Sequence, residues 1–210
     1  MAVALIPRVG CIILAAGEAR RFGGGKLTAR AGGVPLLQRA IDAACGSRAL
    51  HCTLVVGAGA ARVIAQVDTR RCRVIVNRDW RRGIATSLAS GIRSAADDDA
   101  CIIALGDQPN VTSLDLNGLI DASVAAGKAR VPSIVALRAG AVWGAPVLFP
   151  RRDFPALRRL RGDQGAKRIA AANEKRLRFV DAAHDDAFED IDTREDLTRL
   201  NARGILRTHP

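Results

Sequence analysis

Short apolar runs alternate along the chain with segments whose apolar residues recur every three or four positions. Residues 9–14, 53–56, 74–76, 101–105, 133–137, 145–149 and 177–180 have strand length and are rich in β-branched side chains. Between them, Leu36, Leu37, Ala40, Ile41 and Ala44 share one face of a helix that opens at Pro35, a residue suited to a first helical turn. Ile84, Leu88 and Ile92, at spacing four, mark a helix over 83–95. Further helices are expected over 114–126, 164–172 and 194–200, with Asp163 capping the second of these and Asp192 or Thr193 the third. Uninterrupted apolar strands between helices indicate an α/β fold of three α/β/α layers, with a mainly parallel sheet covered on both faces. Such sheets bind ligands beyond the carboxyl ends of their strands. Two candidate sites fall there: a glycine-rich stretch after Leu14, and Asp107 after Leu105.

No internal repeat and no linker rich in Pro, Gly or Ser divides the 210 residues, so residues 1–210 read as one domain. The apolar runs fall well short of the roughly 20 residues that span a bilayer. Residues 1–8 carry no charged segment ahead of a long apolar stretch, so neither membrane span nor signal peptide is expected. Five cysteines, an odd number without a C-x-x-C pair, read as buried free thiols in a reducing cytoplasm, not as a metal site.

The net charge of +11 favours anionic partners such as nucleotides and phosphates. The basic residues are scattered, apart from pairs and the group Arg158, Arg159 and Arg161, and only seven aromatics are present. Base-stacking platforms are therefore scarce, and nucleic acid is not an expected partner.

The candidate chemistry starts in the first loop, residues 14–26. Its small residues let backbone N–H groups approach an anion, and its Arg and Lys supply positive charge, which suits a triphosphate. It is not a Walker A loop, because Leu27 follows Lys26 and Arg20 occupies a required glycine position. It is not G-x-G-x-x-G either, because Ala19 follows Gly17 at that spacing. Asp107, between an apolar strand and Pro109, is a plausible Mg²⁺ ligand, since Mg²⁺ on phosphates takes one or two protein carboxylates. Asp190-Ile191-Asp192 precedes the last helix and alone reads as an acidic helix start. His51, His184 and His209 have neither metal nor triad spacing and read as surface or structural. Trp80 and Trp143 read as packing residues that could also lie near an acceptor.

The ordered set L-A-A-G-x-x-x-R-F-G-x-x-K, L-G-D-Q-P and D-I-D-T-x-E-D resembles the MobA-like nucleotidyltransferases. Within that group it is most similar to the molybdenum cofactor cytidylyltransferases of MocA type. Segments 77–88, 144–149 and 162–166 extend the resemblance over nearly the whole chain. It implies a Rossmann-like nucleotidyltransferase fold and transfer of a nucleoside monophosphate, CMP from CTP being favoured, onto a phosphorylated pterin-type acceptor with release of pyrophosphate. By the same resemblance, the backbone of Leu14, Ala15, Ala16 and Gly17 holds the nucleotide, and Arg21 and Lys26 clamp the triphosphate. Asp107 binds Mg²⁺ with Asp192 as second ligand, and Asn77, Gly83 and Ser87 lie near base, ribose or acceptor. Two positions depart from the pattern: Ala19 stands for the usual Gly or Ser, and Arg194 for the usual Pro. The start Leu-Ala-Ala-Gly favours the cytidylyl over the guanylyl branch. A guanylyltransferase and a sugar- or polyol-phosphate nucleotidyltransferase remain open. So do a dinucleotide-dependent oxidoreductase, hinted at by Gly57-Ala58-Gly59, and a molybdenum cofactor carrier docking its basic surface on a molybdoenzyme.

Overall fold

The computed structural model describes residues 7–125, 131–189 and 191–202. Asp190 and His209 lie outside them. Among the described residues the alternation of apolar runs resolves into nine strands: β1 (Val9–Ala15), β2 (Arg30–Ala31), β3 (Val34–Pro35), β4 (His51–Val56), β5 (Cys72–Val76), β6 (Ala100–Leu105), β7 (Ile134–Ala139), β8 (Val142–Pro150) and β9 (Leu177–Asp181). The helices are α1 (Leu36–Gly46), α2 (Ala60–Ile64), α3 (Ile84–Ser94), α4 (Ser113–Ala125), α5 (Phe154–Arg159), α6 (Lys167–Ala171) and α7 (Arg194–Ala202). Seven strands form one sheet in the order β5-β4-β1-β6-β8-β7-β9, and β2 and β3 pair as a separate ribbon. Only β8 runs against its neighbours in the large sheet. The mainly parallel, three-layer expectation therefore holds.

The sheet separates two cores, as expected where β1 and β6 are apolar on both faces. One packs Ile13, Leu54, Ile102 and Leu148 beneath α1 and α4. The other packs Ile12, Leu88, Ile103 and Phe149 beneath α3 and α5. A third, smaller cluster joins Phe22, Ala31, Leu36, Ile191 and Leu200, tying the first loop to α7. Among the described residues, no helix is long and apolar enough to cross a membrane.

Three sequence readings are revised and one pair of alternatives is decided. The helix expected over 164–172 is shorter: α6 (Lys167–Ala171) is preceded by Ala166 at its cap position, so Asp163 does not cap it. Thr193, not Asp192, caps α7. The Thr193 Oγ1 accepts from the Asp196 N–H at 3.2 Å, while Asp196 Oδ2 accepts from the Thr193 N–H at 2.8 Å, a reciprocal capping box. Of the five free thiols, Cys11, Cys52 and Cys101 are buried, but Cys45 and Cys72 are half-exposed. The glycines of 57–59 are structural: Gly57 packs against Ala16 and Trp80, and Gly59, at φ 62°, starts α2.

Candidate functional site

Parallel pairing brings β1, β4 and β6 to a common rim, with Leu14 beside Leu105 and Ala15 beside Val56. Directly beyond, Gly57 and Gly106 flank the first loop on either side. A Cβ at Gly106 would lie 2.8 Å from Leu37 Cδ1 and 3.2 Å from Ala15 Cβ; one at Gly57 would lie 2.8 Å from the Ala16 carbonyl oxygen. A side chain at Gly57 would collide with the loop at Ala16, and one at Gly106 would press on Leu37 and Ala15.

The loop then folds back on itself. Two 3-10 turns, Arg20–Phe22 and Lys26–Thr28, are separated by Gly23, Gly24 and Gly25 at φ 79°, 88° and 69°. These left-handed conformations are accessible to glycine without the Cβ clash. Ala19 at φ 53° shares the conformation without that freedom, alone among described non-glycine residues. Phe22 is buried in the third cluster and anchors the loop, so that Arg21 faces outward and Lys26 inward.

Lys26 is 5% exposed, yet it carries a charge. A buried ammonium must be paired, and two carboxylates meet it. Its Nζ donates to Asp107 Oδ2 at 2.7 Å and to Asp192 Oδ1 at 2.9 Å. Arg21 Nη1 donates to Asp192 Oδ2 at 3.0 Å. Two cations thus balance two anions drawn from three distant parts of the chain. Burial lowers the Lys26 pKa, but the charge and hydrogen bonds of Asp107, with those of Asp192, outweigh it and leave the pKa above 10.5. The Lys26 hydrogen bond, with the charges of Lys26 and Arg21, holds the Asp192 carboxyl below 3.8.

Two carboxylates touching one ammonium nitrogen share a single cation position. Hard oxygen donors converging on one point suit a divalent cation of the Mg²⁺ or Mn²⁺ type, so Asp107 and Asp192 fit the role of metal ligands.

Above this cluster lies a cavity of about 570 Å³, within the range of small-molecule sites. Leu14, Ala15, Ala16, Gly17, Arg21, Lys26, Ser87, Asp107 and Asp192 all line it. Asn77 and Gly83 do not. Asn77 is buried behind the wall, where its Nδ2 donates to Ser87 Oγ at 2.8 Å and to Thr86 Oγ1 at 2.9 Å, fixing the first turn of α3. Gly83 sits at the entry to α3, so close to the next segment that a Cβ would be 2.2 Å from the Gly162 oxygen.

The cavity wall includes Trp80, which the sequence left between packing and acceptor, and two polar residues that sequence reasoning did not name for the site, Arg81 and Asp163. Arg81 lies over the Trp80 ring, 4.3 Å from its centre. A charged residue beside an aromatic, directly after a strand end, was the available signal. Asp163 sat in a segment that resembles the family, but its cap-like position masked it. Trp143, by contrast, packs edge-on against Phe179 at 5.7 Å, away from the cavity.

A parallel sheet whose rim carries a cationic, glycine-rich loop opposite two carboxylates defines a nucleotide-handling transferase of Rossmann-like fold. The chain belongs to the family of MobA-like NTP transferase domains, whose family model matches residues 11–177. It is 27% identical over 199 residues to nicotine blue oxidoreductase of Paenarthrobacter nicotinovorans, covering 93% of this chain and 97% of that one. It is 29% identical over 195 residues to the purine catabolism protein PucB of Bacillus subtilis (strain 168), covering 88% and 92%. Among solved structures, Rv0371c of Mycobacterium tuberculosis H37Rv superposes with a TM-score of 0.80 at 28% identity, covering 93% of this chain and 98% of that one. A manganese complex of Rv0371c gives a TM-score of 0.75 at 25% identity over the same shares of the two chains.

Proposed function

We propose that this nucleotidyltransferase moves CMP from CTP onto a phosphate of a pterin-type acceptor of the molybdenum cofactor class, releasing pyrophosphate. The observation that carries the reading is the single cation position shared by Asp107 and Asp192 beneath the glycine-rich loop. In this reading the N–H groups of Ala15 to Gly17 bind the nucleotide, with Ser87 on the opposite wall. Arg21 and Lys26 turn toward the triphosphate, matching its charge at the α-phosphate and on the leaving pyrophosphate. Asp107 and Asp192 would hold a Mg²⁺ ion, which would supply charge neutralisation at the same phosphates. The acceptor's phosphate oxygen attacks the α-phosphorus in line, so the protein forms no covalent bond and contributes position and charge. Trp80 and Arg81 suit the acceptor's flat ring system, as an aromatic face and a cation on the cavity wall. Exposed Arg158, Arg159 and Arg161 suit a molybdoenzyme that receives the product, by speeding encounter.

The preference for CTP rests on Leu14-Ala15-Ala16-Gly17. It is tested by incubating the protein with Mg²⁺, molybdopterin and each NTP in turn, and measuring pyrophosphate. Release with CTP alone is the expected result; release with GTP alone moves the chain to guanylyl transfer. A dinucleotide-dependent oxidoreductase is a second reading, favoured by the likeness to a protein called nicotine blue oxidoreductase. It requires stabilisation by NADPH in thermal unfolding and no pyrophosphate with any NTP.

A further inference from the structure

The spacing of the cysteines suggests no metal site, yet the fold gathers three of them at the other end of the sheet. Cys52 on β4 and Cys72 on β5 are direct register partners near the amino ends of their strands. Side chains paired in this way lie on the same sheet face. Cys45, one residue before the end of α1, comes down onto that face. The Cys72 and Cys52 sulfurs are 3.4 Å apart, the Cys45 and Cys72 sulfurs 3.8 Å, and all three lie within 4.8 Å of one another. All are free thiols.

We propose that Cys45, Cys52 and Cys72 form a three-thiolate site for a soft cation, Zn²⁺ or Cu⁺, that pins α1 to the β4–β5 edge of the sheet. Two observations carry it. With Zn–S bonds of about 2.3 Å, two thiolates on a tetrahedral zinc stand roughly 3.8 Å apart, so the sulfurs stand close to ligand spacing. The second is access: Cys52 is buried, but Cys45 and Cys72 are half-exposed, so an ion can enter. A solvent molecule can complete a zinc site on the open side, whereas Cu⁺ is satisfied by soft thiolates alone. The thiols give their protons to solvent as the ion binds. Cys11 continues the row on β1, opposite Cys52. Burial first, then the neighbouring thiols, pushes it up to about 12, so it stays protonated beside the trio.

Reduced, chelator-stripped full-length protein is titrated anaerobically with Co²⁺, then with Zn²⁺, and separately with Cu⁺ against a coloured Cu⁺ chelator. The expected result is one equivalent bound, seen as a near-ultraviolet thiolate-to-cobalt band that Zn²⁺ abolishes, or as Cu⁺ withdrawn from the chelator. Cys45→Ser should weaken binding by more than about tenfold, because a ligand is lost. Cys101→Ala, which lies in the opposite core, should leave it unchanged. Circular dichroism of metal-free Cys45→Ser checks its fold. If that variant fails to fold, metal protection of Cys45 and Cys72 against alkylation in the wild type provides the readout. Protection supports the site. Uptake of none of the three ions, or uptake that survives Cys45→Ser and Cys72→Ser together, overturns it.

Discussion

Asp107 and Asp192 contact the same ammonium nitrogen but are held in different ways. Asp107 follows a buried strand at the centre of the sheet, and its side chain is 30% exposed. Asp192 belongs to no strand or helix, and its side chain is 46% exposed. What holds Asp192 is local and indirect. Ile191 is fully buried against Phe22 and Leu36, and the Asp196 carboxylate accepts from the Asp192 N–H at 3.0 Å. One carboxylate is placed by the sheet, the other by a small cluster and a helix start. The difference teaches which mutations should act on chemistry alone and which should also act on stability.

The largest expected effect is at Asp107. Asp107→Ala should lower turnover by about 10²–10³-fold, the scale seen when a preorganised charge-stabilising group is removed. Its thermal midpoint should move little, because Asp192 still pairs the buried Lys26 ammonium. Full turnover with Mg²⁺ in this variant would show that Asp107 is not the metal ligand.

Ile191→Ala sharpens the comparison from the other side. Truncating a fully buried isoleucine should cost about 2–5 kcal/mol in chemical denaturation. It should also raise the metal concentration needed for half activity, since Asp192 loses its anchor, while Asp107 keeps its strand. A variant destabilised by that amount with unchanged metal dependence would uncouple Asp192 from the site.

Removing the cap should be milder. Thr193→Ala is expected to cost about 1 kcal/mol. The pH dependence separates the pair further. The folded-state pKa of Asp192 is depressed, so its contribution to stability is present above 3.8 and lost as the pH falls through the folded value. Asp192→Asn should remove that acid-side slope, lowering stability slightly near neutral pH and leaving it unchanged below the folded value, as exposure keeps the contribution small. Lys26 acts with the opposite sign: its raised pKa gives a contribution present below 10.5 and lost as the pH rises beyond the folded value. Denaturation followed across pH in the wild type and in Asp192→Asn reads these slopes.

The smallest effect should be at Ala19. A left-handed alanine costs about 1–2 kcal/mol, and a glycine there adds roughly 0.5–1 kcal/mol of unfolded-state entropy. Ala19→Gly should therefore stabilise slightly, by under about 1 kcal/mol, in thermal unfolding.

The comparison also explains what was legible in the sequence. Strand-end logic located the loop after Leu14 and Asp107, because an apolar run followed by polar, small residues writes the rim of a parallel sheet directly. Their approach follows from β1 and β6 being neighbours. The place of Asp192 was legible only through family resemblance. Nothing local distinguishes it from an acidic helix start, and burial of Ile191 against a loop some 170 residues earlier is a tertiary fact. Asn77 and Gly83 were placed in the right region but one layer too close, since buried polar side chains and close-packed glycines can support a wall as well as line it. Asp163 failed for the reverse reason: a good cap residue stands before a helix that begins later. The thiol trio was invisible because its members lie on three separate elements at irregular spacing.

The central claim is that Asp107 and Asp192 hold a divalent cation that serves a bound NTP. The most direct measurement is calorimetric titration of CTP, with and without Mg²⁺, into the wild type and into Asp107→Asn, which keeps the shape and removes the charge. Binding that tightens with Mg²⁺ in the wild type and is insensitive to Mg²⁺ in the variant is the expected result. Equal Mg²⁺ dependence in both proteins would contradict it.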